Sequence, residues 1–179
     1  TNSPFAGGGS AAFDGASGSV SLGINYNATV RLAPAITIEA WVNPSKTNTI
    51  QADIFNGNAN NSGFYAYAID LQPNNVLRVG GRSKDGDTFR SVISPSPVAQ
   101  SQWTHVAGVL NYSAGTIQAY VNGTLVTNSA ASWGTTNLNV SSTSLGTAIG
   151  AGLKYNGGGA LELYFPGSIS DVRIWNVAR

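Results

Sequence analysis

Eight carboxylates, one histidine and no cysteine make up the acid, base and metal-ligating repertoire of this 179-residue sequence. A glycosidase needs two carboxyl groups roughly 5–10 Å apart, one of them able to protonate the leaving oxygen. The only glutamates are Glu39 and Glu162. A lyase would take His105 or a tyrosine as base and an arginine to neutralise a uronate. Zinc catalysis is excluded, because with one His and no Cys a three-ligand site would be mostly carboxylate, a donor set that suits harder metals. Calcium is the metal the sequence allows, since it accepts Asp, Asn and backbone carbonyl oxygens in flexible geometry. Asp85-Gly86-Asp87, and Asn56, Asn58, Asn60 and Asn61 around Gly57, are loop candidates for such ligands, with a solvated polar turn as the alternative.

Sugar binding asks for something else: an aromatic face for the C–H side of a pyranose, and planar polar side chains that satisfy hydroxyls in pairs. Trp133, between Ser132 and Gly134, and Tyr155, beside Asn156 before a glycine run, are the aromatics least explained by strand alternation. Arg82, Lys84, Asp85 and Asp87 form the one dense charge cluster, on an expected loop, where binding residues concentrate. The candidate glycan site is therefore Trp133, Tyr155, Asn156, Arg82, Asp85 and Asp87. Each aromatic has a competing reading as a packing cover at the sandwich edge.

The elements that must position these residues are strands. Twenty-two Gly and seven Pro punctuate short runs rich in Val, Ile, Leu, Thr, Tyr and Trp, and no window sustains a helical apolar period. In Thr37–Val42, Ile38, Ala40 and Val42 share one face with Ile36, while Thr37, Glu39 and Trp41 share the other. Asn122-Gly123 between Thr116–Val121 and Thr124–Thr127 predicts a type I′ hairpin, and Gln72-Pro73-Asn74-Asn75 predicts a second reversal. About a dozen strands exceed one flat sheet, so two sheets packed face to face are expected, preceded by a Gly-rich arm over about residues 1–12. Only 9% of residues are charged and the net charge is +1, with Ser, Thr and Asn numbering 52. A phosphate-tracking groove is hard to build from this, so nucleic acid is an unexpected partner. No membrane-spanning stretch or secretory apolar core is present, so a soluble chain with no membrane insertion is expected, any leader lying outside Thr1–Arg179. Asn-x-Ser/Thr sequons begin at Asn27, Asn60, Asn111, Asn122 and Asn139, a number that chance supplies in a chain so rich in these residues.

Three stretches together resemble a known family. Phe13-Asp14-Gly15 with Val20-Ser21-Leu22 and Thr37–Pro44 open it; Trp103–Val109 and Tyr120–Gly123 follow; Phe165–Asn176 closes it. Their order and spacing over Phe13–Arg179 resemble a LamG-like jelly-roll domain of the concanavalin A-like lectin/glucanase superfamily. The resemblance implies an all-β, two-sheet antiparallel jelly-roll sandwich over 1–179, with first and last strands adjacent. That adjacency implies that Asp14 and Asp171, at ends that meet, could hold a structural calcium ion. It also implies a structural ion pair between Glu39 and Arg173, since a bare carboxylate on a central strand needs a partner. His105 lies in a block shared with non-catalytic relatives, which implies a structural histidine. The Glu-x-Asp-x-x-Glu strand of glucanases in this superfamily is absent.

Three function classes follow. The first is a non-catalytic module outside the cell or on a virion surface that binds a cell-surface or matrix glycan, with no organic cofactor and at most a structural calcium. The second is a structural or decoration protein of a viral capsid or tail, docking to a neighbouring structural protein through the arm. A glycan-cleaving enzyme comes last. Fold alone does not choose among them.

Overall fold

The computed structural model describes residues 3–23, 30–59, 65–140, 146–153 and 161–179. Within them lie fourteen strands: β1 (Ala11–Asp14), β2 (Val20–Gly23), β3 (Ala35–Pro44), β4 (Ala52–Ala59), β5 (Tyr67–Leu71), β6 (Val76–Gly81), β7 (Arg90–Pro97), β8 (Thr104–Asn111), β9 (Thr116–Val121), β10 (Thr124–Ala130), β11 (Gly146–Ile149), β12 (Gly152–Leu153), β13 (Leu161–Glu162) and β14 (Pro166–Trp175). Two antiparallel six-stranded sheets, in the orders β1-β14-β3-β8-β9-β10 and β2-β11-β4-β5-β6-β7, stack as a jelly-roll sandwich, and β12-β13 forms a small third sheet. Among the described residues only Pro73–Asn75, a single 3-10 turn, is helical.

The alternation read in β3 is what builds the first sheet's inner face. Ile36, Ile38, Ala40 and Val42 are fully buried, opposite Leu110, Gly108 and Val106 of β8 at Ile36, Ile38 and Ala40. Ile69, Leu71, Leu77 and Val79 face them from the second sheet. The layers meet most closely where a side chain is missing. A Cβ on Gly108 would lie 2.4 Å from Val79 Cγ1, and one on Gly81 would lie 2.5 Å from Leu110 Cδ2. Each sheet thus supplies a glycine where the other supplies a branched side chain, which allows close packing without strained rotamers.

Turns set the register. Asn122 and Gly123 take φ values of 49° and 77°, the two positive angles a type I′ turn requires, and Val121 pairs with Thr124 across it. Asn74 and Asn75 also lie at positive φ, 66° and 61°, in the reversal between β5 and β6. Asn75 then fastens this turn to the β3–β4 connection, accepting from Asn48 N at 2.9 Å and donating to Lys46 O at 3.1 Å. At one side of the sandwich the outermost strand β7 carries Pro95 and Pro97, and the outermost strand β10 has a register break between Leu125 and Thr127.

The N-terminal arm is shorter and less free than the sequence suggests. Ala11–Asp14 is a strand paired with β14, and Ser170 Oγ donates to Gly9 O at 2.7 Å. Phe5 stands edge-on to Trp41 with ring centroids 5.6 Å apart. The arm therefore lies back on its own sheet.

Because Gly108 meets Val79 with no room for a methyl, Gly108→Ala is expected to destabilise the fold by about 1–3 kcal/mol, the usual range for overpacking. A lowered midpoint of urea unfolding is the expected readout, and an unchanged midpoint would mean that the layers can separate at no cost.

Candidate functional site

The predicted loop cluster does assemble, but as a closed latch. Asp87 accepts hydrogen bonds from Ser83 N and Oγ at 3.2 and 2.7 Å, from Thr88 N at 2.9 Å, from Arg90 Nη1 at 2.9 Å and from Gly134 N at 3.1 Å. Partial burial opposes its ionisation, but the bonds from Ser83, Arg90 and Gly134 outweigh that and hold the carboxyl below the ordinary range. Trp133 donates from Nε1 to Asn111 O at 3.0 Å, meets Tyr112 edge to face at 5.0 Å, and has the Arg90 guanidinium 5.8 Å from its ring centroid. The indole N–H is thus spent on the latch, and Tyr112 and Arg90 both pack against the half-buried ring. Arg82 is buried and donates from Nε to Tyr65 O at 2.8 Å; burial lowers its pKa, while Asp85 and Asp87 work the other way. Asp85 is exposed. Tyr155 and Asn156 lie outside the described residues, as do Asn60 and Asn61.

The metal residues do not converge. Asp14 pairs opposite Pro166, five residues before Asp171 on β14, a separation of roughly 16 Å at 3.3 Å per residue. Asp14 instead closes its own turn, accepting from Ser17 N and Ala16 N at 2.8 Å each, from Ser17 Oγ at 2.8 Å and from Gly18 N at 3.2 Å, and these bonds push its carboxyl well below the ordinary range. These two residues do not fit a shared calcium ion.

The expected Glu39–Arg173 ion pair is likewise corrected. The two residues are register partners, but the pairing slips between Ser170 and Arg173, leaving Asp171 at φ 51°. Arg173 then finds a fork-on-fork partner two residues away: Nε lies 2.9 Å from Asp171 Oδ1 and Nη2 lies 2.8 Å from Oδ2. A local bidentate pair at the surface avoids the desolvation that reaching Glu39 would cost. Glu39 accepts from Trp175 Nε1 at 3.0 Å and has His105 Nε2 at 3.6 Å, and the imidazole packs against Trp41.

What sequence reasoning missed lies on the outer face of the second sheet. Asp70 sits between inward Ile69 and Leu71, so its side chain takes the opposite face, and register aligns Asp53, Asp70 and Arg78 across β4, β5 and β6. Asp53 and Asp70 are both 0% exposed. Arg78 reaches Asp70 Oδ2 from Nε at 3.0 Å and Nη2 at 2.9 Å, while Nη1 has no hydrogen-bond partner among the described residues. Gln72 Nε2 donates to Asp70 at 2.6 Å; Gln51 Nε2 and Asn56 Nδ2 donate to Asp53 at 2.6 and 2.9 Å. Beside this row stand two half-buried rings, Tyr65 and Phe89, edge to face at 6.4 Å, with the Arg78 guanidinium 5.5 Å from the Phe89 centroid. Gly80 lies under Phe89, since a Cβ there would stand 2.6 Å from Phe89 Cε1. Gly152 of β12 packs against Asp53 Oδ2, and the Asp53 N–H donates to Leu163 O, just past β13, at 2.8 Å. Aspartate is depleted in strands, so Asp53 and Asp70 inside apolar runs were the signal in the sequence.

Electrostatics mark the same place. Desolvation, then the neighbouring Asp70 charge, pushes Asp53 up to about 7. Burial also raises Asp70, against the pull of Arg78 and Gln72. The Tyr65 hydroxyl is raised by burial and then by the charges of Asp53, Asp70 and Glu162. Asp53 takes up its proton in the folded state at a higher pH than the ordinary 3.8 of the unfolded chain. Between about 4 and 7 the folded state therefore binds more protons, and stability falls as pH rises through that window. In chelator, urea unfolding is expected to give lower stability at pH 8 than at pH 5, and Asp53→Asn is expected to flatten the difference; equal slopes in both proteins would contradict this. For Arg173→Ala, whose side chain is 53% exposed, a change within about 1 kcal/mol is expected, and a loss of 3 or more would restore the buried-pair reading.

Comparisons with known proteins agree with the sandwich. A domain of Ruminococcus gnavus, the IT-sialidase CBM40, is 16% identical with TM-score 0.73, covering 96% of this chain and 91% of that one. A candidate carbohydrate binding protein from Bacteroides ovatus ATCC 8483 is 24% identical with TM-score 0.62; the match covers 82% of this chain and only 38% of that one. Mouse laminin alpha1 chain, domains LG4-5, is 12% identical with TM-score 0.66, covering 90% of this chain and 40% of that one. No curated protein matches the chain. The family model for Laminin_G_3 matches residues 14–179, so the chain belongs to that family, within the concanavalin A-like lectin/glucanases superfamily.

Proposed function

We propose that this chain is a non-catalytic glycan-binding module, displayed outside the cell, and that the sugar rests on Tyr65 and Phe89 beside Arg78. The observation that carries the reading is this pair of half-buried rings next to a guanidinium pinned by Asp70, whose Nη1 has no hydrogen-bond partner among the described residues. A pyranose stacks its C–H face on one ring, and a preoriented N–H donates to its hydroxyls with little further loss of freedom. The carbohydrate-binding neighbours support the reading at the level of fold. The absence of catalysis is supported by the burial of Asp53 and Asp70, which in this arrangement cannot reach a glycosidic oxygen. No helix among the described residues is long and apolar enough to cross a membrane. A decoration role through a free arm finds less support, because Phe5 and Gly9 are engaged on the chain's own sheet.

An open platform with one stacking pair implies affinities of roughly micromolar to millimolar, strengthened in use by several copies. A glycan array on the isolated chain, followed by titration of the best sugar, tests this. Phe89→Ala and Tyr65→Ala are each expected to weaken binding about five-fold or more, since truncating an aromatic anchor of a binding site costs about 1 kcal/mol or more. Trp133→Ala is expected to lower thermal stability while leaving affinity within about two-fold, since its ring serves the latch. An array with no bound glycan would sink the function, and affinity lost only with Trp133 would move the site to the loops.

A further inference from the structure

A cleft of about 280 Å³ opens at the end of the sandwich where β3 gives way to β4 and β14 begins. It is lined by Lys46, Asn48 and Ile50 of the β3–β4 connection and by Leu163, Tyr164 and Pro166 around the start of β14. Connections ordinarily move more than the strands they join, but this one is fastened along its length. Ser45 N donates to Pro166 O at 2.9 Å, Gln100 Nε2 to Ser45 O at 3.0 Å and Asn74 N to Asn48 O at 2.8 Å, besides the two bonds with Asn75. The Asn48 side chain stays out of this network. The residue is only 5% exposed, yet its Nδ2 is buried with no hydrogen-bond partner, where a buried donor is normally satisfied. Lys46 is exposed, is the one charged residue lining the cleft, and makes no hydrogen bond or ion pair through its ammonium among the described residues. On the β14 side Leu163 holds φ at 56°, a conformation rare for leucine.

We infer that this cleft binds a small aliphatic carboxylate, its two oxygens held by Lys46 and Asn48. The groups left unmatched are an amide donor and an ammonium, so their complement is an acceptor that carries negative charge. One cation matches the single charge of a carboxylate, whereas a phosphate calls for several cations or a nest of backbone N–H groups. The amide's separation from water is compensated once an oxygen accepts from Nδ2, which ties affinity to the carboxylate. Ile50, 65% exposed, adds aliphatic surface with Leu163 and Pro166 for the carbon body of the ligand. A volume at the lower end for ligand pockets limits that body to a few carbons. The site stands apart from the sugar platform: Ala52, which borders the cleft, pairs with Leu71, while Gly80 under Phe89 pairs with Ala68, roughly 10 Å further along β5. The inference therefore does not depend on the glycan reading.

The test is an NMR titration of the full chain at about pH 7 and constant ionic strength with sodium butyrate, set against butyramide as its uncharged counterpart and sodium phosphate as the bare oxyanion. Butyrate is expected to give saturable shifts at the Asn48 side-chain amide and in residues 46–52 and 163–166, with Kd of roughly 0.1–10 mM. Butyramide and phosphate are expected to bind about five-fold more weakly or worse. Lys46→Gln is expected to weaken butyrate about five-fold or more, to the level of butyramide; it alters only an exposed side chain, so it serves even where a buried variant does not fold. Asn48→Leu is expected to lose butyrate binding while keeping Tm within a few degrees, because it removes an unmatched buried amide. No saturable shift below about 50 mM, shifts confined to other parts of the chain, butyramide or phosphate binding as tightly as butyrate, or unchanged affinity in Lys46→Gln would each overturn the site. None of these readouts involves a sugar, so their failure leaves the glycan reading standing.

Discussion

The two sheets are held at their spacing by reciprocal glycines: Gly108 gives way to Val79, and Gly81 gives way to Leu110. Everything outside the core depends on this contact. A thicker interlayer would unseat Ile36, Ile38, Ile69 and Leu77, the fully buried side chains that fix which face of each strand looks inward. Inward choice on a strand determines outward choice by alternation. The outer row of Asp53, Asp70 and Arg78 is thus specified by the apolar residues beside them in sequence rather than by any attraction among the charges.

That row is an unusual thing for a core-facing apolar pattern to produce. Strand β5 buries all five of its residues, Asp70 included, because its outer face is covered as well as its inner one. Burial makes Asp70 an immobile anchor, and it makes Arg78 a rigid donor in place of a wandering surface side chain. The stability lost in enclosing two acids is offset by the packing of two layers, and the loss falls beside the rings proposed to carry a sugar, where stiffness helps.

How far the sequence revealed this can be argued residue by residue. The alternation of Ile36 to Val42 and the positive φ demanded by Asn122-Gly123 were legible because each is a local property, and both elements formed as read. Strand β1 was not, since Ala11–Asp14 has no alternation of large apolar residues and exists because β14 pairs with it. Trp133 looked like a free loop aromatic because nothing near it in sequence announces Tyr112, Asn111 or Arg90 as its neighbours. Arg173 was assigned a partner by strand adjacency, which was right about the register and blind to the slip that lets Asp171 reach it first. Asp53 and Asp70 drew no reading from the sequence, since nothing local announces that both end fully buried.

The prolines of β7 and the break in β10 have a consequence for how such sandwiches coexist. An outermost strand with free N–H and C=O groups is a template on which another copy can zip, continuing the sheet from molecule to molecule. Pro95 and Pro97 delete donors at alternate positions of one rim, and the slip between Leu125 and Thr127 bends the neighbouring rim out of line. Copies crowded together are therefore barred from continuing either sheet through this side of the sandwich.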